Sequence, residues 1–191
     1  MSNIWFTADL HFGHVGIMYS TNRPWRNVNK MNRCLIQNWN SVVDKDDTVY
    51  ILGDFTWEKQ NANQLSDYIR KLNGHKILIL GNHDHFKAFD YEECGFEHVH
   101  TYYFLEEQRI HLVHDPAKSI VLPNDKWLCG HVHTLFRRLN NVINVGVDVW
   151  DFKPVSLEAV LELFEDQRRQ IDVNTDTPPN WSKVEEVKDN V

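Results

Sequence analysis

Apolar residues recur along this chain in two rhythms. Ile4 to Ala8, Thr48 to Leu52, Lys76 to Leu80 and Lys126 to Cys129 are short runs with the length and character of buried strands, and each leads into a polar, turn-forming segment. Between the first three the spacing changes to threes and fours. Val28, Met31, Leu35, Trp39 and Val42 form the stripe of an amphipathic helix closed by Asp44-Lys45-Asp46-Asp47. Leu65, Ile69 and Leu72 form a second stripe, stopped by Asn73-Gly74, where glycine suits the left-handed residue after a helix. Alternation of this kind predicts an α/β domain with a parallel portion.

Beyond residue 95 the rhythm changes. His98 to Leu105 and Arg109 to His114, separated by Glu106-Glu107-Gln108, predict an antiparallel hairpin. Val142 to Val147 predicts another strand, leading to Asp148. Ser156 is the expected N-cap of a last helix, Leu157 to Gln170, whose buried face would be Leu157, Val160, Leu161 and Phe164. Residues 1–170 are thus expected to form a single domain. The polar stretch 171–191, with Pro178-Pro179 inside it, is expected to be a flexible tail or a strap held by Trp181.

Composition narrows the function more than the fold. At 191 residues and 42% hydrophobic the chain can bury one sizeable core. A formal net charge of -7 argues against a protein that coats nucleic acid or an anionic membrane through bulk electrostatics, so any phosphate chemistry must be local. Cys34, Cys94 and Cys129 are too dispersed for a disulfide framework or a thiolate zinc site. With no basic leader and no apolar run of membrane-spanning length, a cytoplasmic protein is expected.

Histidine stands out, with 11 copies. Several fall where strands end: the strand-end residues Asp9, His11, Asp54, Asn82, His114, His131 and His133 bring carboxylate, amide and imidazole donors together without a thiolate. Such a set suits two borderline divalent ions, Mn²⁺, Fe²⁺, Zn²⁺, Ni²⁺ or Co²⁺, and not a structural zinc. Neutral imidazoles and two carboxylates would leave the loaded site net positive inside an acidic protein, and so attractive to phosphate. His75, His85, His98, His100 and His111 match no such pattern and read as ordinary surface or core histidines.

Asp9-x-His11, Gly53-Asp54, Gly81-Asn82-His83-Asp84, His114 and Gly130-His131-x-His133, in this order, resemble the signature of the calcineurin-like metallophosphoesterases, over residues 4 to about 165. Asp9-Leu10-His11-Phe12-Gly13-His14 and Asn144-Val145-Gly146-Val147-Asp148 are similar to a small bacterial and phage group among them. The resemblance implies a four-layer α/β/β/α sandwich of two mixed sheets flanked by helices. It implies Asp9, His11 and His133 on a first metal, Asn82, His114 and His131 on a second, and Asp54 bridging. His83 would face the scissile phosphate as acid or hydrogen-bond donor, and Asp84 would orient it.

The activity so implied is attack of a metal-activated water on a phosphoester, with manganese the favoured ion. A small, nucleotide-like phosphodiester is the expected substrate, and a phosphomonoester or a non-catalytic scaffold are the alternatives. One departure matters. Relatives commonly carry Gly-Asp-x-x-Asp-Arg, whereas this chain reads Gly53-Asp54-Phe55-Thr56-Trp57 and lacks the arginine that grips phosphate in protein phosphatases. Arg23 or Arg26 could supply that charge, or Arg23 could simply pack on Trp25. His14 either contacts substrate or hydrogen-bonds within its loop, and Asp148 either supports a ligand histidine or caps a turn.

Overall fold

In the computed structural model, which describes residues 2–57, 61–118, 125–166 and 171–173, strands and helices alternate through the first half of the chain. The order is β1 (Ile4–Thr7), α1 (Val15–Ser20), α2 (Val28–Asn40), β2 (Thr48–Leu52), α3 (Ala62–Ile69), β3 (His75–Ile79), α4 (Ala88–Cys94) and β4 (His98–His100). Strands then dominate: β5 (Tyr103–Leu105), β6 (Ile110–Leu112), β7 (Lys126–Cys129), β8 (Phe136–Leu139), β9 (Val142–Asn144) and β10 (Val155–Ser156), followed by α5 (Leu157–Glu165) and β11 (Ile171–Val173).

Two mixed sheets result. One has the order β10-β1-β2-β3-β4, parallel except for β10, and the other β11-β8-β9-β7-β6-β5, with its parallel part at β6-β7-β9. Alternation along β2 assigns its two faces. Val49 and Ile51 face the helices, packing with Met31, Leu35 and Trp39 of α2 and Leu65 and Ile69 of α3. Tyr50 and Leu52 join Phe6, Ile79, Leu112, Leu128 and Ile143 in the core between the sheets. Each fully buried side chain of this size contributes about 1.5–3 kcal/mol, which is why the two stripes and the short apolar runs dominate the sequence pattern.

Ser156 caps the last helix as expected, and the structure adds two caps that the sequence reading did not name. Ser156 Oγ accepts from the Ala159 amide at 3.2 Å, and Asn27 Oδ1 accepts from Lys30 at 3.0 Å. Asn61 and Gln64 form a reciprocal capping box at α3. α5 buries Val160 and Leu163 in the core between the sheets, and carbonyls at its end accept from Arg138 of β8.

Several boundaries differ from expectation. The run His98 to Leu105 is not one hairpin strand: β4 pairs in parallel with β3, while β5 pairs with β6 in the other sheet. The chain crosses between sheets at Thr101 and Tyr102. Apolar periodicity reports burial and not the partner, so it runs two such strands together. The strand from Val142 stops at Asn144, because the Asn144 side chain turns back to accept from the Gly146 amide at 2.8 Å. The last helix ends at Glu165, where Asp166 turns extended (φ -73, ψ 92). The tail expected from 171 begins as β11, antiparallel to β8. Its remainder, including Trp181, lies outside the described residues.

Candidate metal centre

Parallel register brings the C-terminal ends of β1, β2 and β3 to one edge, the usual ligand-binding edge of such sheets. The loops beyond stay paired. The Asp9, His11 and Phe12 amides donate to the carbonyls of Gly53, Asp54 and Phe55 at 3.0, 2.9 and 3.0 Å. In these loops and the one after β7, Asp9, His11, Asp54, His131 and His133 all have left-handed backbones, with φ of 57, 51, 54, 71 and 45. Non-glycine residues occupy this region at a cost, and such strain gathers at functional sites.

The strain turns the side chains into two groups. Asp9, His11 and His133 form one and Asp54, His114 and His131 the other, with the ligand atoms in each within 4.8 Å of one another. Asn82 Oδ1 joins the second, 2.9 Å from His114 Nε2 and 2.8 Å from His131 Nδ1. Asp54 Oδ2 stands between the groups, 3.5 Å from His11 Nε2 and 3.4 Å from His114 Nε2. The seven residues expected to hold metal therefore lie together, in two groups with Asp54 between them. Their chemistry fits a metal pair: His11 Nε2 is buried with no hydrogen-bond partner and faces the shared carboxylate, a lone pair suited to an ion.

Contacts behind the ligands fix which nitrogen points inward. His114 Nδ1 donates to the Leu52 carbonyl at 2.8 Å, leaving Nε2 for the centre. His133 Nδ1 donates to Asp148 Oδ2 at 2.9 Å, with the same consequence. Both Asp9 oxygens accept from the His131 amide, at 3.0 and 2.9 Å. The motif glycines are required by proximity. A Cβ at Gly81 would collide with the Asp54 carboxylate and lie 2.6 Å from its amide nitrogen. Gly53 combines a φ of 83 with a His114 ring pressed against it.

Charge is strongly coupled here. Burial opposes protonation of His114, but Asp54 overrides it and raises the group to about 10. Burial would raise Asp54, yet the same His114 holds it far below the carboxylate range. Burial, then His114, pulls His131 down to about 4. Burial, helped by His133, Arg23 and His14 and opposed by Asp54, pushes His11 well below its ordinary value, so that it is neutral, as metal binding requires.

His83 lies at the centre's edge. Its amide donates to Asp54 Oδ1 at 2.9 Å, its ring centroid is 5.3 Å from that of His11, and its Nδ1 is buried without a partner among the described residues. Asp84 does not orient that ring. Its carboxylate accepts from the Asp54, Gly81 and Phe55 amides at 2.8, 2.8 and 3.1 Å, so it secures the loop carrying Asp54. His14 is 7% exposed, stacks on Trp57 at 3.8 Å and touches His11 Nδ1 at 3.3 Å. It sits on the outer side of a ligand.

Arg23 also departs from the expected substrate contact. Only 4% exposed, it donates to Asp148 through Nε at 2.8 Å and to the Asp9 and Leu10 carbonyls at 2.7 and 3.1 Å. Burial beside a matching carboxylate, and not packing on Trp25, explains its place. Asn144 was given no role by the sequence, although it opens the Asn-Val-Gly-Val-Asp segment. Its amide donates to the His133 and Phe136 carbonyls at 2.7 and 2.8 Å and so holds the His133 loop. Trp57, which stacks on His14, carries no motif signal at all.

Comparison with known proteins agrees with this geometry. The sequence model of a family described as calcineurin-like phosphoesterase matches residues 2–186. The uncharacterized protein MJ1445 of Methanocaldococcus jannaschii is 36% identical over 173 residues, 86% of this chain and 93% of that protein. The Gene 66 protein of Mycobacterium phage L5 is 45% identical over 85 residues, 44% of this chain and 41% of its own. Among solved structures, a protein of unknown function, AQ665 from Aquifex aeolicus, matches with a TM-score of 0.66 and 26% identity, covering 85% of this chain and all of its own. The chain belongs to the calcineurin-like phosphoesterases, a family of metal-dependent phosphoester hydrolases that use a dinuclear metal centre. No helix among the described residues is long and apolar enough to cross a membrane.

Proposed function

We propose that this phosphoesterase hydrolyses a small phosphodiester in preference to a phosphomonoester, with manganese as its ion. Asp9, His11 and His133 would hold one ion, Asn82, His114 and His131 the other, and Asp54 both. When bound, such a pair supplies a water nucleophile acidic enough to ionise near neutral pH and positive charge for the phosphoryl oxygens. The mixed oxygen and imidazole donors suit manganese among the borderline ions.

The protein's own groups supply position and protons. Asp84 fixes the Asp54 loop through three amide hydrogen bonds, and the Leu52 carbonyl and Asp148 aim two of the histidines. His83, partly exposed beside the first group, would donate a hydrogen bond or proton from its imidazole to the phosphoryl or leaving oxygen.

The observation that supports a diester is the burial of Arg23 on Asp148. The cation closest in sequence to Asp9 and His11 is not free to neutralise the second charge of a monoester dianion, and Glu58 stands where relatives carry a phosphate-gripping arginine. A monoanionic diester has no need of that charge. The test compares bis(4-nitrophenyl) phosphate with 4-nitrophenyl phosphate on the manganese-loaded protein. The expected result is a kcat/KM at least about tenfold higher for the diester, a difference of about 1.4 kcal/mol in transition-state binding. A preference for the monoester would overturn the assignment.

A further inference from the structure

A groove of about 690 Å³ opens beside the second metal group. Asn82 and His114, both of the centre, line it together with Leu80, Tyr102, Val113 and Trp127. Its volume is that of a site for a small organic group, well beyond what a phosphate needs. The groove has room for a group attached to the phosphate.

The most exposed of these aromatic side chains is also held in place. Tyr102 is 47% exposed, in the crossing between the two sheets, and its hydroxyl lies 2.7 Å from His111 Nδ1. The His111 ring is stacked on Trp127, with centroids 4.2 Å apart and planes at 14°, and its Nε2 lies 3.4 Å from Asp125 Oδ2. Trp127 is itself 5% exposed and belongs to the core on the outer face of the second sheet. The phenol is therefore tethered at its hydroxyl through a stacked pair to the folded body, while its ring remains accessible. An aromatic surface of this kind binds with little loss of side-chain freedom.

The charge lining the groove selects among ligands. Among the described residues that line it, Asp115 and Asp125 are acidic and Lys118 is the lysine, already paired with Asp115 at 3.3 Å. Away from Asn82 and His114 the described lining is net negative. A second phosphate, as in a polyphosphate or an oligonucleotide backbone, would be repelled, whereas an uncharged ring would not.

We propose that this groove is the subsite for an uncharged planar arm of the substrate, the nucleoside of a nucleoside phosphodiester, with Tyr102 as its stacking surface. The assignment rests on the phosphoesterase function above and adds to it which half of the substrate is recognised, and where. Tyr102 takes part in binding and not in bond cleavage.

The test measures binding of adenosine 5′-monophosphate and of methyl phosphate to the manganese-loaded protein by calorimetry. Wild type, Tyr102→Phe and Tyr102→Ala are compared. The nucleotide should bind at least about tenfold more tightly than methyl phosphate, within the range that stacking one base on an aromatic side chain contributes. Tyr102→Ala should remove that advantage and Tyr102→Phe keep most of it, with methyl phosphate unaffected by either. Equal affinities in the wild type, or an equal loss for both ligands in Tyr102→Ala, would overturn the proposal. Because Tyr102 is half-exposed, neither variant threatens the fold. Failure of the hydrolase assignment would appear separately, as absence of turnover of bis(4-nitrophenyl) phosphate by the wild type whatever the binding ratio.

Discussion

Arg23 Nε lies 2.8 Å from Asp148 Oδ1, with the two side chains 0% and 1% exposed, and the other oxygen of Asp148 receives His133 Nδ1 at 2.9 Å. The arginine therefore supports the metal centre from behind, through Asp148 and His133 and through the Asp9 carbonyl, to which it donates at 2.7 Å. Removing one partner of a buried pair costs about 3–5 kcal/mol, because the other charge is stranded. Loss of an outer hydrogen bond to a ligand histidine typically weakens metal affinity about 10–100-fold. Arg23→Met should therefore lower the thermal midpoint and weaken the ion held by Asp9, His11 and His133, leaving the other site nearly intact. Metal titration followed by calorimetry checks this; equal weakening of both sites would contradict it.

Metal binding should release protons. In the metal-free protein His114 is held protonated up to about 10, against burial, by Asp54, and a ligand imidazole must be neutral. Affinity should thus rise with pH through the neutral range, and calorimetry at pH 7 in buffers of different ionisation enthalpy should show net proton release. The metal-free protein has the opposite dependence. A histidine with a raised folded value contributes stability that is fully present below its unfolded value of about 6.5 and is lost as pH rises toward about 10. Chelated protein should accordingly unfold more easily at pH 9 than at pH 7.

The glycines separate site from scaffold. Gly81→Ala would press a methyl group into the Asp54 carboxylate, so both ions should be lost or weakened more than about tenfold, the least expected when a ligand itself is moved. Gly74 has a φ of 85 and would meet the Asp47 carbonyl at 2.8 Å, away from the centre. Gly74→Ala should destabilise by about 1 kcal/mol or more yet keep its metals. Metal content and urea unfolding of the two variants distinguish these effects.

Asp84→Asn discriminates between two roles for one residue. An amide offers one acceptor oxygen where the carboxylate serves three backbone donors, so the Asp54 loop should loosen and metal affinity fall. A group that instead tuned the His83 ring would shift the pH profile of kcat at unchanged metal affinity. Metal titration together with the pH profile decides between them.

Much of the centre is legible in the sequence because each ligand follows a strand-like run in a motif that couples residue type to position. Asp9, Asp54 and Asn82 are visible in this way, as are His131 and His133. The supporting contacts are not legible, because they join residues remote in sequence. Arg23 and Asp148 are 125 positions apart, and neither has a periodic or motif signal that names the other. The left-handed backbones of Asp9, His11, Asp54, His131 and His133 are hard to read as well, since aspartate and histidine signal positive φ far more weakly than glycine does. In the fold, α2 and α3 are long enough for their stripes to show. The six residues of α1 are too few to reveal a period, although Ile17 and Met18 are buried. At Thr101 the pattern misleads, because the run from His98 to Leu105 is rich in β-branched and aromatic residues and has no Gly or Pro to mark the crossing between sheets.

The proposed function requires two ions to share the Asp54 carboxylate. Electron paramagnetic resonance of the manganese-loaded protein tests it most directly. Two manganese ions per chain with an exchange-coupled spectrum, lost in Asp54→Ala, are predicted. One ion per chain, or two ions with independent spectra, would contradict the account.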